Sequence, residues 1–180
     1  MNKCEIIAIA NQKGGVGKTT ISTEIATYLA LTGHGRGNYR VCIIDYNIDF
    51  GDVRSVLGLE DDAVGMYEWA LDIRDRLDTG ESSESINYNQ KSIERYLQVV
   101  EKTGLYALCA PIKHEESQDI GREELDVMIR NIVENGNFNF VICDTGNNTR
   151  DSSMFALIYA DIVLLVATQD LTTATCNSSV

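Results

Sequence analysis

Nothing constrains this chain more than residues Asn11 to Thr20, which read Asn-Gln-Lys-Gly-Gly-Val-Gly-Lys-Thr-Thr. They follow directly on the apolar run Ile6 to Ala10 and precede a segment with helical apolar spacing. A strand that ends in a glycine-rich loop and opens a helix aims successive backbone N–H groups, and the positive end of the helix dipole, at one point where a polyphosphate can sit. Gly14, Gly15 and Gly17 let the main chain approach the anion, with Val16 and Thr20 completing the cradle. Lys18 can reach the terminal phosphates, and the Thr19 hydroxyl is placed to ligate Mg²⁺. The pattern departs from the strict phosphate-loop spacing at Gln12, where a glycine is expected. It also adds a second lysine, Lys13, just ahead of the glycine pair.

With that extra lysine, Asn11 to Thr20 resemble the deviant Walker A loop of the ParA/MinD family of P-loop ATPases. The resemblance implies ATP or ADP with Mg²⁺ as cofactors. It also implies a homodimer closed across the nucleotide, in which Lys13 of one subunit reaches the partner's phosphates. The residues alone show a spare cation beside the anion site. A positioned cation stabilises the charge that spreads over a transferred phosphoryl group, so the implied role is chemically coherent.

A chain of 180 residues with 44% hydrophobic content is the size of one domain with a substantial core. Its net charge of −12 opposes sequence-independent binding of nucleic acid by this part of the protein, which needs a basic face. No run reaches the ~18 apolar residues of a spanning helix and no leader pattern opens the chain, so a cytoplasmic protein is expected, with peripheral attachment to the inner face of the cell membrane left open. Cys4, Cys42, Cys109 and Cys143 lie in or beside apolar runs without metal-clip or redox spacing and read as small buried hydrophobes. His34 and His114 stand alone and carry no functional assignment.

The apolar runs predict the fold. Ile21, Ile25 and Leu29, with Ala26 and Ala30, give a helical face to Thr32, and Gly33 to Asn38 form a break. Val41 to Ile44 end in Asp45, Phe140 to Cys143 end in Asp144, and Ile162 to Ala167 end in Thr168. Met66 to Leu77 reads as a helix and Asp78 to Asn89 as a polar loop, with acidic residues such as Glu81 and Glu84 solvated. Tyr96 to Val100 and Leu105 to Ala110 read as a hairpin turned by Glu101 to Gly104. Short continuous apolar strands separated by helices imply an α/β fold, a mostly parallel sheet with helices on both faces, with ligands at the carboxyl ends of the strands. The ParA/MinD resemblance implies further strands and the adenine-binding loops beyond Val180. Residues 1–180 are therefore expected to be the N-terminal portion of one P-loop ATPase domain.

Asp144 closes a buried strand and resembles the Walker B aspartate that holds the Mg²⁺ hydration shell. Asp45 to Asp52 read Asp-Tyr-Asn-Ile-Asp-Phe-Gly-Asp. Together with Gly104-Leu105, Ala110-Pro111 and Glu115-Glu116, this segment resembles the TadZ/CpaE pilus-localisation branch. By that resemblance Asp45 helps organise Mg²⁺, and the position two residues later positions or deprotonates the attacking water. Here it is Asn47. An asparagine can orient water but cannot take its proton near neutral pH, and a general base contributes ~10²- to 10⁴-fold, so weak hydrolysis is expected. Asp49 is close in sequence and is the candidate substitute.

The leading expectation is therefore a ParA/MinD-like, nucleotide-gated homodimer that positions cellular machinery such as a pilus, secretion or conjugation apparatus through a protein partner. One alternative is a plasmid or chromosome partition ATPase, which the Asn-Gln-Lys start of the loop also resembles. The other is a non-hydrolysing nucleotide-binding scaffold. A metabolic kinase leaves Lys13 without a role.

Overall fold

The computed structural model describes residues 4–11, 13–32, 39–61, 64–146 and 151–167. The glycine-rich break at 33–38, Gln12, Thr168 and the end of the chain lie outside the described residues. Among the described residues six strands form one sheet in the order β3-β4-β2-β5-β1-β6. These are β1 (Glu5–Ala10), β2 (Val41–Asp45), β3 (Gln98–Val100), β4 (Leu105–Leu108), β5 (Phe140–Asp144) and β6 (Ile162–Leu165). All neighbours pair in parallel except β3 with β4, the expected antiparallel hairpin.

The helices are α1 (Lys18–Thr32), α2 (Val53–Leu57), α3 (Met66–Asp78), α4 (Gln90–Glu94), α5 (His114–Ser117), α6 (Arg122–Asn135) and α7 (Asp151–Tyr159). Alternation along the central strands sorts their side chains onto two faces. Ile7, Ile9, Val41, Ile43 and Ile142 pack with Ala26 and Ala30 of α1 and Val53 of α2. Ile6, Ala8, Cys42, Ile44, Val141 and Cys143 face the other way, onto Trp69 and Ile73 of α3, Met128 and Ile132 of α6 and Phe155 of α7. The result is helix, sheet and helix in three layers. The four cysteines are buried free thiols within these two cores.

Pairing register positions the functional residues. Ile9 is opposite Asp144, and Asp144 is opposite Asp45, so one row across the sheet carries the last turn of β1 and both strand-terminal carboxylates. The loop after β1 thus begins at Asn11, two residues beyond that row. At the outer edge, β6 pairs with β1, and Ile162, Val163, Leu164 and Leu165 are all exposed. Among the described residues no helix is long and apolar enough to cross a membrane.

Candidate functional site

Residues 13 to 17 form turns between β1 and α1, with Gly15 at φ +74° and Gly17 at φ +88°. A side chain at either position would strain the left-handed backbone, so the loop can take this curvature only with glycine there. Asn11 fixes the start of the loop: its side-chain amide donates to the Val166 carbonyl and its oxygen accepts the Lys13 N–H. The Lys18 ammonium folds back over the loop, 3.4 Å from the Lys13 carbonyl, and is largely buried. Burial pulls the Lys18 pKa down, while the Asp144 carboxylate opposes that shift.

Asp144 is fully buried. The Ser22 hydroxyl lies 2.7 Å from Asp144 Oδ1 and 2.9 Å from the Lys18 carbonyl, with one proton to give to either. Asp144 Oδ2 is buried with no hydrogen-bond partner. Burial raises the Asp144 pKa, and the Ser22 and Thr19 hydroxyls and Lys18 pull it back. An orphaned carboxylate oxygen beside a threonine hydroxyl is a donor set suited to a hydrated divalent cation. Among the described residues no group of three or more His, Cys, Asp or Glu side chains could hold an ion. A cation here would thus be completed by water and phosphate oxygens, as hard, reluctantly dehydrated Mg²⁺ prefers.

Asp45 does different work. Its Oδ1 accepts the Asn47 N–H at 3.1 Å and its Oδ2 the Val53 N–H at 3.2 Å, so the loop from 46 to 52 is folded around one buried carboxylate. Burial raises its pKa well above the carboxylate range, Asp144 adds to that, and the two N–H donors oppose it. Each Asp45 oxygen accepts one N–H and keeps a second lone pair. Gly51 makes the fold possible, because a Cβ there would overlap Asp45 Oδ2 and the Ala110 side chain.

The two loops enclose a cavity of about 580 Å³. Gly14, Gly15, Gly17, Lys18, Thr19 and Thr20 form one wall; Asn47, Phe50, Asp52, Ser55 and Val56 form the other, with Thr145 and Gly146 at the floor. Thr145 is pinned by its hydroxyl to the Ile9 carbonyl at 2.7 Å, and the Gly146 N–H donates to the Ser153 hydroxyl at 3.0 Å. That volume suits a small-molecule ligand. A glycine-lined helix N-terminus with a buried lysine suits an anionic one.

A family model described as AAA domain matches residues 4–175. The chain is a ParA/MinD-family AAA domain. It is 26% identical over 169 residues to the septum site-determining protein MinD of Neisseria meningitidis serogroup B, a match covering 93% of this chain and 54% of the relative. Over a shorter stretch of 56 residues, 31% of this chain and 19% of the relative, it is 45% identical to MinD of Bacillus subtilis. The fold is shared with a ParA family ATPase from Chlorobium tepidum, at a TM-score of 0.78 and 16% identity over 97% of this chain and 65% of that one. It is also shared with Pyrococcus horikoshii MinD complexed with Mg-ADP, at a TM-score of 0.69 and 20% identity over 96% of this chain and 61% of that one. The chain spans about half the length of the curated MinD relatives it matches.

Of the residues singled out by sequence, Lys18, Thr19, Thr20 and the glycines line the cavity, while Asp144 and Asp45 are buried outside its lining, Asp144 beside Ser22 and Lys18. Lys13 and Val16 are half-buried and lie outside the cavity lining. Asn47 lines the cavity, its amide nitrogen donating to the Phe50 carbonyl at 2.7 Å and its Oδ1 buried without a partner. Asp49, the candidate substitute for the missing aspartate, is turned elsewhere. Its carboxylate accepts from the Ser117 hydroxyl at 2.8 Å and lies 3.5 Å from His114 Nδ1, on α5. Ser22 and Asp52 escape the sequence reading. Ser22 follows one helical turn after Lys18 and so shares its face, a signal that the spacing does carry.

Proposed function

We propose that this chain is the nucleotide-binding part of an ATP-gated homodimer that positions cellular machinery, with slow ATP hydrolysis. The observation that carries this reading is the placement of Lys18 and Thr19 in the lining of one glycine-rich cavity, with the unpartnered Asp144 Oδ2 buried behind them. In this reading the loop N–H groups and Lys18 hold the ATP phosphates, while Thr19 and Asp144 hold Mg²⁺ and its waters, with Ser22 fixing the Asp144 rotamer. Mg²⁺ supplies charge neutralisation at the β- and γ-phosphates. Asp45 shapes the facing loop, and Asn47 offers its free oxygen to orient water.

Lys13 supports the gating. It lies outside the lining of its own cavity, and a second copy facing the cavity mouth gives its ammonium an anion to meet. ATP drives closure only if it binds the dimer better than the monomer. The MinC:MinD cell division complex of Aquifex aeolicus, whose MinD-type chain is 26% identical at a TM-score of 0.63, supports a protein as the downstream partner. The Asp45–Asp52 segment favours a TadZ/CpaE-like localisation role for that partner. The net charge of −12 weighs against the partition alternative.

The test is sedimentation of the full-length protein with ATP or ADP. ATP with Mg²⁺ is expected to shift it from monomer to dimer, ADP is not, and Lys13→Ala abolishes the shift. A protein that stays monomeric at saturating ATP overturns the gating. Asn47 favours a second reading, a scaffold that binds nucleotide without turnover; ATP binding with no phosphate release distinguishes it.

A further inference from the structure

The cavity wall that faces the phosphate loop carries a carboxylate that does not cap its own helix. Asp52 stands at the N-cap position of α2, where an aspartate ordinarily accepts a backbone N–H of the first turn. Here its side chain makes no such bond. It instead lines the cavity, together with Asn47. Its charge is felt by both Asp45 and Asp144, so it lies within electrostatic reach of the two strand-terminal carboxylates. The path to this position is built into the loop. Asp45 draws in the N–H groups of Asn47 and Val53, and Gly51 packs against Asp45 and Ala110 so closely that no side chain fits; Asp52, the next residue, lines the cavity. Asp49, the other carboxylate of the loop, is held away on Ser117.

We propose that Asp52 takes the proton of the attacking water, with Asn47 turning its buried, unpartnered Oδ1 out to orient that water. The inference rests on the ATPase reading above and names the residue that sustains its slow turnover. The water oxygen forms a bond to the γ-phosphorus while one of its O–H bonds breaks, the proton passing to an Asp52 carboxylate oxygen. The bond from the γ-phosphorus to the bridging oxygen breaks, and ADP departs with that electron pair. Asn47 can orient but has no basic site, whereas Asp52 is basic but has no partner to fix a water; the two supply together what one aspartate at position 47 would supply alone. Exposed Phe50, stacked on His114 at 5.9 Å between centroids, also lines the cavity.

The experiment measures ATP affinity by titration and phosphate release at saturating ATP with Mg²⁺ on the full-length protein. Variants are Asp52→Asn, Asp49→Asn and the double variant Asn47→Asp with Asp52→Asn. Asp52→Asn is expected to lower kcat about 100-fold, or to background, while the Kd for ATP moves by less than about threefold. The double variant restores kcat to within about tenfold of the starting protein, because the carboxylate returns at position 47. A merely structural role for Asp52 moves affinity along with turnover and is not rescued from position 47, and that result overturns the proposal. It is equally overturned if Asp52→Asn turns over normally, if Asp49→Asn is the variant that fails, or if the starting protein binds ATP without hydrolysing it. Failure to bind ATP at all removes the ATPase reading itself.

Discussion

The two walls of the cavity are made in opposite ways. The wall after β1 is mostly main chain: glycines at positive φ, a helix N-terminus and one folded-back lysine, with the Asn11 side chain fixing its start. The wall after β2 is the reverse, a loop wrapped around the buried Asp45 carboxylate and tethered by Asp49 to α5. The first wall presents fixed main-chain donors to an anion and is anchored at its start by Asn11 on Val166. The second depends on a charge that burial disfavours and on contacts 68 residues apart in sequence. Binding should therefore depend on the first wall and turnover on the second.

Lys18→Ala is the sharpest attempt to break this division. Losing a charge-assisted contact of ~1.5–3 kcal/mol should weaken ATP about 10- to 100-fold, read by calorimetry. Gly51→Ala should act on the other wall: the new Cβ displaces Asp45 or Ala110, costing ~1–3 kcal/mol of stability by denaturant unfolding. Phosphate release should fall with it, and ATP affinity should hold. If affinity falls in parallel, the walls are not separable.

Asp144→Asn probes the carboxylate row where the walls meet. Because the folded protein holds the Asp144 and Asp45 protons more tightly than the unfolded chain does, nucleotide- and metal-free stability falls as pH rises from the ordinary carboxylate range near ~4 through the raised values. The variant should remove part of that slope and raise Tm at neutral pH, by ~2–4 °C per kcal/mol recovered, with the difference vanishing near pH 4. It should also lose the Mg²⁺-dependent gain in ATP affinity. Smallest is Ser117→Ala, which frees Asp49 from α5 and should cost ~1 kcal/mol of stability with a modest loss of turnover.

The difference between the walls also decides what sequence could reveal. The first wall is contiguous, and the run from Ile6 to Thr20 spells strand, loop and helix in order. Both strand-terminal aspartates are legible for the same reason, since continuous apolar runs mark buried parallel strands. The hairpin of β3 and β4 and helix α3 follow from turn and periodicity signals. Helix α6 is a different case: Leu125, Met128, Ile129 and Ile132 form its buried stripe, but the buried polar Asn131 interrupts the pattern while serving Tyr88 and Ile86. The second wall is written in side-chain contacts instead. That Asp49 turns to Ser117 and Asp52 to the cavity depends on the Asp45 wrap, which no local spacing encodes.

The central claim is that this cavity holds an adenine nucleotide through its phosphates and Mg²⁺. The most direct measurement is calorimetric titration of ATP into the full-length protein with and without Mg²⁺. The account predicts saturable binding that tightens at least about tenfold when Mg²⁺ is present. Binding indifferent to Mg²⁺, or none at all, contradicts it.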